Sequence, residues 1–135
     1  MLQYVPDHSE EVWLFRKNLR PRFSPADQEF RRVAYITFHY RISGPKKLPT
    51  AAEMEMFSDL EEEIINGEGH SFTLVAVATK TGVRDYMFYV SDPKSIQQCA
   101  SNLMDRFAEY GVQLEVEDDP DWKHYLDFPG GQDVQ

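Results

Sequence analysis

The chain has a single cysteine, Cys99, among 135 residues. No internal disulfide can form, so nothing argues for an oxidising compartment. No apolar run is long enough to span a bilayer. The opening residues, Met1 to His8, lack the basic region and apolar run of a signal peptide. These absences make a cytoplasmic protein without membrane contact the expectation. Catalytic signatures are missing as well: there is no phosphate loop, metal-ligand spacing or nucleophile triad. His8, His39, His70 and His124 are scattered without the spacing of a metal site, and neither metal nor cofactor is expected. Cys99 falls on an apolar stripe, where a thiol is usually inert. Ser71 beside His70 is mere adjacency. His39 with a carboxylate nearby would make a general base, but a satisfied or solvated histidine is the plainer expectation.

Positive charge is scarce, with 14 Lys and Arg against 23 Asp and Glu, for a net charge of −9. It is also unevenly spread. Arg16 to Lys47 holds nine basic and two acidic residues, hence +7; the remainder holds five basic and 21 acidic, hence −16. The overall field repels nucleic acid and anionic membranes. The basic stretch is expected to pack on the acidic body of its own chain or to be solvated.

What the sequence does contain is a clear order of elements. Glu11 to Arg16 is a short apolar run of strand formers, followed by an irregular connection with Pro21 and Pro25. Val33 to Ile42 alternates as a strand: Ala34, Ile36, Phe38, Tyr40 and Ile42 share one face, and Tyr35, Thr37, His39 and Arg41 the other. Ser43-Gly44-Pro45 ends it. Thr50-Ala51-Ala52-Glu53 is a capping box opening a helix with Met56, Phe57, Leu60 and Ile64 inward and Glu61, Glu62 and Glu63 between them. Ser71 to Thr79 and Arg84 to Val90 form a hairpin about Lys80-Thr81-Gly82. Asp92-Pro93 starts a second helix with a stripe of Ile96, Cys99, Ala100, Leu103, Phe107 and Tyr110. Val112 to Val116 is the last strand, with Val112, Leu114 and Val116 inward. Asp119-Pro120 begins a helical turn through Leu126.

This order, β-α-β-β-α-β from Val33 to Val116, predicts an α+β two-layer sandwich of ferredoxin-like topology with an extra N-terminal strand. The division expected is one domain over residues 1–128 and a flexible tail over 129–135.

The segment Gly82-Val83-Arg84-Asp85-Tyr86-Met87-Phe88-Tyr89-Val90 and the ending Asp118-Asp119-Pro120-Asp121-Trp122-Lys123-His124-Tyr125 resemble an uncharacterised bacterial family, the domain of unknown function numbered 695. The marks are Gly82-x-Arg84 with Tyr89, and Asp119-Pro120-x-Trp122-x-x-Tyr125. The similarity runs from the Trp13 region to Tyr125. It implies an α+β fold, and that some relatives carry a second domain similar to regulators of ribonuclease activity, for which this chain is too short. The family has no established activity, so no catalytic residue carries over.

Three constellations compete as sites. Glu115, Glu117, Asp118, Asp119 and Asp121 with His124 offer oxygen ligands to a hard cation, but not at the spacing of a calcium loop. The plainer expectation is that Asp119 caps a turn. Trp122, Tyr125 and Phe128 recur three apart and are expected to clamp the final turn onto the sheet or a helix end. The open sheet face is the principal candidate, with Tyr35, His39, Arg41, Met87 and Tyr89 as its binding residues. It is expected to be covered, by the segment around Trp13 or by a second copy of the chain. The resulting expectation is a non-catalytic interaction or regulatory module with a protein partner or as a homodimer. The alternative is a small-molecule binder or enzyme on the same face, which a deep pocket there would favour.

Overall fold

A computed structural model describes residues 2–6, 12–42 and 48–129, with the backbone alone at 2–6, 12 and 13. The turn at Ser43-Gly44-Pro45, the lysines 46 and 47, His8, the side chain of Trp13 and the tail beyond Pro129 lie outside the described residues.

The protein is α+β. Its strands are β1 (Leu2–Pro6), β2 (Val12–Lys17), β3 (Arg32–His39), β4 (Phe72–Lys80), β5 (Val83–Val90) and β6 (Gln113–Asp118). They form one sheet in the order β1-β2-β4-β5-β3-β6, antiparallel at every pairing. The N-terminal run adds to the sheet as expected, pairing with β4, but β1 lies outside it. The short sequence Leu-Gln-Tyr-Val-Pro gave no sign of a strand, because its partner β2 is what makes it one.

The helices are α1 (Ala51–Asn66), α2 (Pro93–Arg106) and the short α3 (Lys123–Asp127). The expected capping box is present on α1: Thr50 Oγ1 accepts the Glu53 N–H at 3.1 Å, and Glu53 Oε1 accepts the Thr50 N–H at 3.0 Å. Asp92 caps α2 by accepting the Lys94 N–H at 3.1 Å, with Pro93 in the first turn. A two-residue loop, Thr81-Gly82, joins β4 to β5. Gly82 sits at φ 75°, where a side chain would be strained.

The sheet has a core on each face. On the helical side, Ile36, Phe38, Tyr86 and Phe88 pack with Phe57 and Leu60 of α1 and Ile96 and Leu103 of α2. Strand alternation and helix periodicity both led to these residues. The other face holds a second core of Phe30, Val33, Val75, Met87, Tyr89 and Trp122. A bulge between Leu74 and Ala76 lets both Val75 and Ala76 join it, which simple alternation does not anticipate.

Two inward assignments and one outward one need correction. Ile42 is exposed, because β3 ends at His39. Val116 is also exposed: the first core takes in Val112 and Leu114 but goes no further along β6. Glu61, which falls among the glutamates between the apolar positions of α1, is buried at 5% exposure.

Candidate functional site

Two segments of the chain itself cover part of the open sheet face; the side chain of Trp13, anticipated there, lies outside the described residues. The irregular connection from Asn18 to Arg31 places Phe30 against it, stacked on Phe23 with ring centres 4.0 Å apart. The chain after β6 supplies the rest. Trp122 lies flat on Tyr89, centroids 4.0 Å apart and planes 9° apart, and its Nε1–H donates to the Phe30 carbonyl at 2.9 Å. Trp122 adopts φ 59°, a left-handed backbone costly for a bulky residue, which this stacking and hydrogen bond hold in place. The aromatic clamp expected of Trp122, Tyr125 and Phe128 is therefore present on this face.

Asp119 organises the clamp. Its side chain accepts the Tyr89 O–H at 2.6 Å and the Lys123 and His124 N–H groups at 2.9 Å each, so it caps α3 as the plainer reading expected. The Tyr89 oxygen in turn accepts the Tyr125 N–H at 3.1 Å. Burial pushes Asp119 up, but the hydrogen bonds from Tyr89, His124 and Lys123 outweigh it and hold the carboxyl below the usual range. A depressed carboxylate contributes stability above its unfolded pKa and loses it as pH falls through the folded value. Asp119→Asn is therefore expected to lower stability at neutral pH by about 1–3 kcal/mol, with a smaller deficit near pH 3. Urea unfolding at both pH values checks this; equal deficits would mean that the carboxylate charge does not matter here.

The family-like motifs thus have structural roles. Gly82 makes the hairpin turn, and Pro120 follows the Asp119 cap. Tyr89, Asp119, Trp122 and Tyr125 form one clasp. Arg84 faces the helices, where it is buried against Glu61.

Between this clasp and the hairpin end of the sheet lies a cleft of about 380 Å³. Phe15, Ala78 and Met87 contribute from β2, β4 and β5. Tyr35 of β3, His124 of α3 and Phe128 line it further, and Phe128 meets Phe15 edge to face. Four charged residues complete it. Lys80 lies 3.6 Å from Asp85, and Lys123 and Asp127 are one helical turn apart on α3.

The Tyr35 hydroxyl is 2.8 Å from His124 Nδ1, and His124 Nε2 is 2.5 Å from a Glu117 oxygen. Burial pushes the Tyr35 phenol up to about 12, reinforced by the carboxylates of Glu117, Asp85, Asp119 and Glu115. The Tyr35 hydroxyl therefore stays protonated at neutral pH.

Of the expected binding residues, the cleft brings together Tyr35 and Met87 only. Tyr89 is sealed beneath Trp122. His39 and Arg41 are exposed, and His39 bonds Gln113 at 3.0 Å. The sequence reading missed Asp85, although it is the next residue on the alternation of Met87 and Tyr89. His124 had been grouped with the acidic end as a cation ligand. There, Asp119 is committed to Tyr89, Asp118 pairs with Arg32, and Glu117 pairs with His124. Among the described residues, no group of three or more His, Cys, Asp or Glu is arranged to hold a metal. No helix among them is long and apolar enough to cross a membrane.

Residues 4–128 match the family of unknown function DUF695, and the chain belongs to that family. No curated protein and no solved structure matches the chain.

Proposed function

We propose that the protein is a non-catalytic binding module whose ligand site is the cleft between the sheet and α3. The observation that carries this reading is the cleft itself. Its volume of about 380 Å³ falls within the range of small-molecule sites, and it combines apolar side chains with a few polar groups. This gives weight to a small-molecule ligand over a macromolecular one on that face. Ligand-observed NMR with a mixture of small aromatic and aliphatic fragments tests it. Fragments are expected to compete for one site and to lose binding in Ala78→Phe, which fills the cleft. Binding unchanged in that variant counts against the reading.

The proposal includes a cytoplasmic, single-domain protein over residues 1–128, with 129–135 as a tail, that binds neither nucleic acid nor membrane. In support, Arg16, Arg22 and Arg32 of the basic stretch pair with the chain's own Glu61, Glu68 and Asp118. The order β4-β5-β3-β6, with α1 between β3 and β4 and α2 between β5 and β6, supports a ferredoxin-like arrangement extended at the β4 edge. A protein partner or second copy is a second reading, favoured by β6, which ends the sheet with one edge unpaired among the described residues.

A further inference from the structure

We propose that the cleft selects a small amine, a single apolar group bearing a primary ammonium; this inference rests on the cleft being the ligand site. The argument begins with the Glu117–His124–Tyr35 chain. A carboxylate only accepts hydrogen bonds, so Glu117 places a proton on His124 Nε2. We assign the imidazole as the neutral Nε2–H tautomer, in which Nδ1 accepts the Tyr35 hydroxyl proton across 2.8 Å. With its proton committed, the Tyr35 oxygen offers only lone pairs to the cleft. A ligand meeting it must donate.

The surrounding charge points the same way. Asp85, Glu115, Glu117 and Asp119 act on Tyr35; of these only Asp85 lines the cleft, together with Asp127. Against these five carboxylates stand three ammonium groups: Lys80 on Asp85, Lys123 on α3, and Lys17, which donates to the Phe128 carbonyl at 3.2 Å. The lining itself is balanced, Asp85 and Asp127 against Lys80 and Lys123, and the negative excess lies around Tyr35, with the sign of the chain as a whole. An anionic ligand would meet repulsion and a hydroxyl with no proton to give. A cation with an apolar body finds acceptors in Tyr35, Asp85 and Asp127, and contact with Phe15, Met87 and Phe128.

Titration of methyl-labelled protein with phenethylamine, phenylethanol and phenylpropionate tests this by NMR, with the Met87 methyl as reporter. The amine is expected to shift that methyl saturably and to bind about tenfold or more tighter than the alcohol or the acid, as a charge-assisted hydrogen bond implies. Tyr35→Phe and, as a second variant, Asp85→Asn are each expected to weaken the amine several-fold, and Asp85→Asn to leave the alcohol nearly unchanged. Melting curves establish that each variant is folded. If alcohol or acid binds as well as the amine, selection for an amine is overturned while the cleft stands as a site. If no probe moves the Met87 methyl, both the cleft and the amine are overturned.

Discussion

Glu61→Ala is expected to destabilise the protein by about 3–5 kcal/mol, the cost of leaving a buried charge unpaired. Glu61 projects from α1 onto the sheet and meets Arg84 at 2.5 Å, each with a side chain only 6% exposed. Arg84 also donates to Thr79 Oγ1 at 2.6 Å and to the Tyr86 oxygen at 2.8 Å, and its guanidinium lies over the Phe57 ring. Arg16 joins from β2 on the other Glu61 oxygen. Burial, and then the Arg84 charge, holds the Arg16 guanidinium below its usual value, so its positive charge is the less easily kept without Glu61. Removing the carboxylate leaves two guanidinium groups facing one another. Joint replacement, Glu61→Leu with Arg84→Met, is expected to recover much of the loss, because well-packed apolar groups often substitute for a buried pair. Urea denaturation of the two single variants and the double variant decides it. A double variant as unstable as the sum of the singles would show that the pair is not coupled.

Trp122→Ala is expected to cost about 3–5 kcal/mol, as large aromatic deletions from a core do. Trp122 is 1% exposed, so its loss opens a void above Tyr89. The effect should also be local. The Tyr125 N–H bonds the Tyr89 oxygen and the Leu126 N–H bonds the Trp122 carbonyl, so both amides should lose protection from hydrogen exchange while β4 and β5 amides retain most of theirs. Trp122→Phe retains a stacking ring but drops the bond to the Phe30 carbonyl, and should cost about 1–2 kcal/mol beyond its smaller area. A loss below about 1 kcal/mol for the alanine variant would mean that the clasp contributes little to holding the sheet.

The two cases divide along what a sequence can express. Alternation from Val33 and helical spacing from Met56 and Ile96 are local regularities, and the helical-side core follows from them. The capping box at Thr50 and the cap at Asp92 are equally local. Glu61 was misread for the same reason: by spacing it is one of three successive glutamates. Only the assembled sheet, bringing Arg16 from β2 and Thr79, Arg84 and Tyr86 from β4 and β5 beneath α1, supplies the partners that make burial tolerable.

From its residues alone, this chain determined its α+β class, the starts of α1 and α2, its hairpin and the sign of its field; α3 begins at Lys123, after the turn that Asp119-Pro120 opens. It also marked the sheet face opposite the helices as mixed and in need of cover, since Tyr35, Met87 and Tyr89 are too apolar to stand in water. The tertiary structure decided what covers that face. Phe30 and Trp122, 92 positions apart, meet there by a hydrogen bond within one core cluster, and residues of α3 and of the hairpin line the cleft together. Pairings across such separations arise from three-dimensional packing and leave no periodic trace in the sequence, so Asp85, His124 and Tyr35 became one site only once the sheet and α3 were in place.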